Sequence, residues 1–208
     1  MSEWYEKLTW YYSNDYGSLT QEQRYQNASN IYYYFKIQWD WRMESIAAMV
    51  GNMEAESWLS PSQWQGGRPY SGGLGLVQWT PYTLLTDWAQ ENGYDPFNGL
   101  TQLRRLIYEY QNGLEYYASQ LFPYQPRTWQ QFAHLEYDSQ GDFITVDRLA
   151  EAFLFNYLRP ADPQSTLGNR KRAAQKYYEY FQTLPARPPG LFPYWLLFKM
   201  KERRDRTR

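Results

Sequence analysis

Apolar residues recur three and four positions apart along most of the chain, and this spacing predicts helix after helix. Tyr25, Ala28, Ile31, Tyr32 and Phe35 share one face of a helix opening at Thr20, where Thr20-x-x-Gln23 has the spacing of a capping box. Met43, Ile46, Ala47, Met49, Val50 and Met53 mark a second helix after Asp40, with Pro61 beyond its end. Thr80-Pro81 predicts a third, with Thr as cap and Pro as first helical residue; Leu84, Leu85 and Trp88 form its face and Gly93 ends it. Asn98 caps the next, carried by Leu100, Leu103, Leu106, Ile107 and Tyr110. Segments from Trp129 to His134, Asp147 to Tyr157 and Leu167 to Phe181 complete the set.

One stretch departs from this period. Between Ser57 and Trp79 the chain carries Pro61, Gly66, Gly67, Pro69, Gly72, Gly73 and Gly75, interleaved with Trp58, Trp64, Tyr70 and Trp79. That composition predicts a loop or small hairpin, and long ring-rich loops are common binding sites. The expected architecture is therefore all-α: an N-terminal arm over residues 1–19, a helical domain over 20–184, and a Pro-rich linker with an apolar and basic tail over 185–208.

Composition narrows the chemistry. Rings make up 20% of the 208 residues; most are expected in the core, and their polar handles also suit a groove where one face is dry and the other wet. Net charge is −1, without the basic excess of a nucleic-acid binder. The last ten residues, Lys199 to Arg208, do hold six basic and two acidic side chains. With no Cys and His134 as the single His, thiolate, zinc and Ser-His-Asp chemistry have no residues to work with, and no metal or cofactor is called for. No apolar run approaches the roughly 18 residues of a membrane span. The start, Met-Ser-Glu-Trp-Tyr-Glu-Lys, lacks the pattern of a secretion signal, so the expectation is synthesis in the cytoplasm and delivery by another route.

Two carboxylates, Glu54 and Glu56, stand at the end of the second helix and lead into the glycine-rich loop. A carboxyl held against apolar walls keeps its proton to higher pH and can protonate a glycosidic oxygen. At 100° per residue, Glu54 lies nearer the apolar stripe than Glu56.

The series Glu56-Ser57, then Gly75-Leu76-Val77-Gln78, resembles the lysozyme-like superfamily of goose-type lysozymes and lytic transglycosylases. Within it the chain is most similar to the phage tail-tip lysozymes. The similar segments include Asn27 to Tyr32, Ala47 to Met53, Gly75 to Pro81, Thr101 to Glu109 and Asn156-Tyr157-x-Arg159-Pro160, spanning about residues 26–182. The resemblance implies a lysozyme-like fold and a virion-borne enzyme cutting the bond between N-acetylmuramic acid and N-acetylglucosamine in the host wall. It implies Glu56 as catalytic acid, overriding the wheel, and Gln78 on the sugar groove. It further implies that Gly73 and Gly75 let the backbone approach the glycan, and that Tyr157 reaches the acid from a later helix. Among the rings, Trp58, Trp64, Tyr70 and Trp79 are groove candidates, with Trp64 the most exposed in polar Ser62-Gln63-Trp64-Gln65. One departure stands out: where Tyr-Glu-Arg-Pro is expected, the chain reads Tyr157-Leu158-Arg159-Pro160. A second carboxylate would then come from Asp87, Glu91 or Glu109, or be absent, as in a lytic transglycosylase. Expected partners are peptidoglycan strands and other phage tail proteins, the latter through Leu191 to Arg208. The alternative is a non-catalytic tail plug or wall-binding protein on the same fold.

Overall fold

A computed structural model describes residues 4–188; the proposed docking tail, Leu191 to Arg208, lies outside them. Seven α-helices appear among the described residues: α1 (Gln21–Tyr33), α2 (Met43–Ser57), α3 (Thr83–Glu91), α4 (Gly99–Asn112), α5 (Trp129–His134), α6 (Val146–Phe153) and α7 (Gln164–Thr183). None is long and apolar enough to cross a membrane. Among the described residues, strand pairing is limited to isolated antiparallel bridges, Trp64 with Leu74, Leu74 with Trp79, and Tyr137 with Phe143. The architecture is the mainly helical one that the apolar spacing requires.

Local signals act where the sequence places them. Thr20 and Gln23 close a reciprocal capping box at the start of α1, and Asn98 accepts from the Leu100 amide at the start of α4. The expected helix start at Thr80-Pro81 is wrong by two residues. Tyr82 is the cap of α3, because the Thr80 hydroxyl donates to the Gln78 carbonyl in a turn instead of capping a helix amide.

Helix α2 is buried without interruption from Ser45 through Glu54 and is the axis of the fold, flanked by α7, α6, α1 and α5. Burial on all sides explains its wide apolar face. Gly51 makes this possible against α7: a Cβ there would stand 2.4 Å from the Ala174 amide nitrogen. Asn52 fastens the third side, its amide donating to Ala48 and Ala150 carbonyls. Helices α1 and α6 each run on into a π-turn, over Tyr34–Gln38 and Leu154–Leu158.

The segment before α1 is docked by side chains of the helical body. Asn27 brackets Tyr11 through both of its backbone groups, and Asn30 donates to the Thr9 carbonyl at 2.7 Å. Trp10 is buried against Gly99, where a Cβ would collide with the indole. The chain then passes over the end of α2. There Ser13 and Ser60 exchange two 2.8 Å hydrogen bonds, and Gln63 donates to the Asn14 carbonyl.

Candidate active site

Helix α2 stops because Trp58 and Leu59 take left-handed backbone angles, φ 55° and 61°, which redirect the chain. Just before the stop, the Ser57 hydroxyl lies 3.1 Å from the Leu76 carbonyl across 19 residues of sequence. This bond ties the Glu56-Ser57 pair to the Gly75-Leu76-Val77-Gln78 turn, two motifs that are remote along the chain. The turn is closed by the Gln78 amide side chain, which donates to the Gly75 and Gln63 carbonyls at 2.9 and 3.0 Å.

Around this junction opens a cleft of about 660 Å³. Four segments converge on it: the arm turn Asn14 to Tyr16, Glu56 at the end of α2, the loop from Gln63 to Thr80, and Leu158 to Pro160 after α6. A recess of about 100 Å³ adjoins it, sharing Gln78 and Leu158 and adding Trp79, Glu115 and Tyr157.

The Glu56 side chain is 19% exposed and lines the cleft. Its surroundings differ from the apolar walls that the sequence suggested. Arg170 of α7 donates from Nη2 to Glu56 Oε1 at 2.7 Å. That guanidinium is itself fixed, reaching the Asn52 carbonyl, Asn52 Oδ1 and Thr166 Oγ1. Arg170 is buried, so the pair is shielded from screening by solvent. Glu56 Oε2 has no partner among the described residues. The carboxyl is thus held by one oxygen and free at the other.

Glu54, two residues earlier, is buried as the helical wheel indicated, but away from the cleft. Lys176 donates to both of its oxygens at 2.9 and 2.7 Å, and Arg24 stands 3.4 Å from Oε1.

Other expected site residues divide. Gln78 lines the cleft. Trp64 does too, but it is 4% exposed, so its place as the most exposed ring is corrected. Its polar neighbour Gln63 is also internal, spending its amide on the Asn14 and Trp64 carbonyls, and the rings of Tyr70, Tyr82 and Phe97 pack around the indole. Tyr70 is the exposed ring of that group, at 76%. Gly75 is buried and is not among the residues that line the cleft. Its φ of 84° forms the turn, and a Cβ would meet the Gln102 amide at 2.6 Å. Gly73 is likewise packed, against the Gln78 carbonyl and Thr80 hydroxyl. Trp58 is a wedge: Arg24 lies 4.0 Å over its ring, Tyr16 packs beside it, and its indole donates to the Leu19 carbonyl.

Tyr157 reaches a carboxyl from the later helix, but the wrong one. Its hydroxyl donates to Glu109 Oε2 at 2.7 Å, while Trp79 Nε1 and Arg105 Nε both donate to Glu109 Oε1 at 2.8 Å. Glu109 is fully buried. Burial pushes its carboxyl above the ordinary range, and Arg105 with the two neutral donors pulls the other way. Trp79, Tyr157 and Glu109 therefore form a structural hub under the recess, and Glu109 does not line the cleft. Asp87 and Glu91 are exposed on α3 and do not line it either.

The structure adds residues that the periodicity could not reveal. Arg170 sits in a polar stretch of α7 with no motif around it. Asn14-Asp15-Tyr16-Gly17 reads only as a turn, yet Asp15 and Tyr16 line the cleft. Tyr16 donates to the Ala55 carbonyl at 3.1 Å; burial, with Glu54 and Glu56 nearby, raises its phenol above the ordinary value. Among the described residues no group of three or more His, Cys, Asp or Glu is placed to hold a metal ion.

The model of the phage tail lysozyme family matches residues 26–181. Morphogenesis protein 1 of Bacillus phage B103 is 33% identical over 147 residues, a match covering 69% of this chain and 35% of that protein. The chain thus spans about a third of the relative's length.

Proposed function

From the premise that the chain belongs to the phage tail lysozyme family, we propose that it cleaves the glycan strands of the host cell wall from the phage particle, with Glu56 as the proton donor. The supporting observation is a single one: a carboxyl anchored through Oε1 by a buried guanidinium, with Oε2 free, on the wall of a 660 Å³ cleft. Such a cleft is large enough for a few sugar rings.

In this reading Arg170 fixes the direction of the carboxyl, and Oε2 is the oxygen left to hand over a proton. As the bond between N-acetylmuramic acid and N-acetylglucosamine breaks, that proton passes to the glycosidic oxygen. Gln78 and Trp64 line the path of the strand, and Val77, Leu158 and Pro160 give it an apolar side. Trp79, Tyr157 and Gly75 act from beneath, by holding the loop that carries Gln78.

Purified protein incubated with peptidoglycan releases new saccharide ends, detected by mass spectrometry of the products. Glu56→Gln lowers that release by about 10²–10⁴-fold, the usual contribution of a general acid. Release by Glu56→Gln at the wild-type rate contradicts the assignment. The same experiment decides the second reading, a wall-binding or plug protein. That reading is favoured by Leu158 in the cleft where a carboxylate was expected, and by the relative's name as a morphogenesis protein. It requires binding to the wall with no cleavage by the wild type.

A further inference from the structure

We propose that Asp15, on the arm that precedes the family-matched region, is the catalytic base that activates water against the bond protonated by Glu56, which makes the enzyme an inverting hydrolase. The proposal rests on the glycosidase reading above and assigns its second carboxylate.

Only two carboxylates line the cleft among the described residues, Glu56 and Asp15. Their partners are opposite in kind. Glu56 is tied to Arg170, whereas the Asp15 carboxylate has no hydrogen bond or ion pair; the contacts of that residue run through its backbone, with Ser13 and Ser18. The backbone is nevertheless held on both sides. Asn14 accepts from Gln63, and Tyr16 reaches the Ala55 carbonyl beside Glu56. Asp15 is exposed and lines the cleft, so its unpaired carboxylate, on a main chain held at both ends, is open to the water it would activate. The competing carboxylates are otherwise engaged. Glu109 is buried with three donors, and Glu115, in the adjoining recess, is paired with Arg159 at 3.2 Å.

The step balances without a further reactant. The water oxygen bonds to the anomeric carbon as the carbon's bond to the glycosidic oxygen breaks. The departing oxygen keeps the electron pair and takes the Glu56 proton, and the water's proton passes to Asp15. The product carries the inverted, α configuration at its new reducing end.

The test uses the full chain and purified glycan strands, following rate and anomeric configuration by proton NMR. Wild type is expected to give the α product first. Asp15→Asn is expected to lose about 10²–10⁴-fold in kcat with KM little changed. Azide, which attacks without a base, is expected to restore turnover to Asp15→Ala as a glycosyl azide. Full kcat in Asp15→Asn alongside an inactive Glu56→Gln overturns this proposal and leaves the glycosidase reading standing. So do a change confined to KM, a β product, or anhydro-sugar ends from the wild type. Full activity in Glu56→Gln, or no cleavage by the wild type, overturns both.

Discussion

Glu54 and Glu56 leave the same helix two positions apart and have been put to different uses. Glu54 lies under the surface with both oxygens taken, by Lys176 and Arg24. Glu56 gives one oxygen to Arg170 and keeps the other free on a cleft. Glu109 extends the series: wholly buried, with an indole, a guanidinium and a phenol on its two oxygens. Burial alone therefore does not mark a proton donor. What separates the candidate acid from the structural carboxyls is an unsatisfied oxygen beside open volume.

That difference can be broken at each carboxyl. The largest stability effect is expected at Glu109. Glu109→Gln removes the charge facing Arg105 and is expected to cost about 3–5 kcal/mol, as breaking a buried pair does, read as a fall in the urea midpoint. Tyr157→Phe removes one bond to the same carboxyl and is expected to cost about 2 kcal/mol, while activity per folded molecule stays within a few fold. Full stability in either variant would deny the hub its role. Glu54→Gln is expected to cost about 1 kcal/mol, because Lys176 is partly exposed and its pairing is screened. A loss there as large as at Glu109 would mean that the two ion pairs are not graded by burial.

The smallest effect is a slope with pH. Burial raises the Tyr33 phenol from its ordinary 10 to about 12, so the folded chain keeps the neutral form after the unfolded chain has ionised. The stabilisation is whole below about pH 10 and is lost as pH rises towards about 12. Urea midpoints across that window are expected to fall, and to fall less steeply in Tyr33→Phe.

Much of the frame was legible in the spacing of apolar residues. α2 could be read from Met43 to Met53 because it is buried on every side, and α1 and α4 because Thr20 and Asn98 cap them with their own side chains. The start of α3 was misplaced because the Thr80 hydroxyl has a second use, in a turn. The cleft was legible in part: Glu56, Gln78 and Trp64 do come together. The polar neighbours of Trp64 suggest exposure, but Gln63 is internal, and Gln65, itself exposed, accepts from the Gly73 amide within the loop. Arg170 and Asp15 reach the site through tertiary packing alone, 114 residues along the chain from Glu56 in the case of Arg170, and no local pattern announces such a contact.

The most direct test sets the two neighbouring carboxyls against each other on one wall preparation. Rates of glycan cleavage are measured for Glu56→Gln and Glu54→Gln, each normalised to folded protein. A fall of about 10²–10⁴-fold is expected for Glu56→Gln and a rate within a few fold of wild type for Glu54→Gln. Equal rates in the two variants, or the larger loss in Glu54→Gln, would contradict the assignment of Glu56.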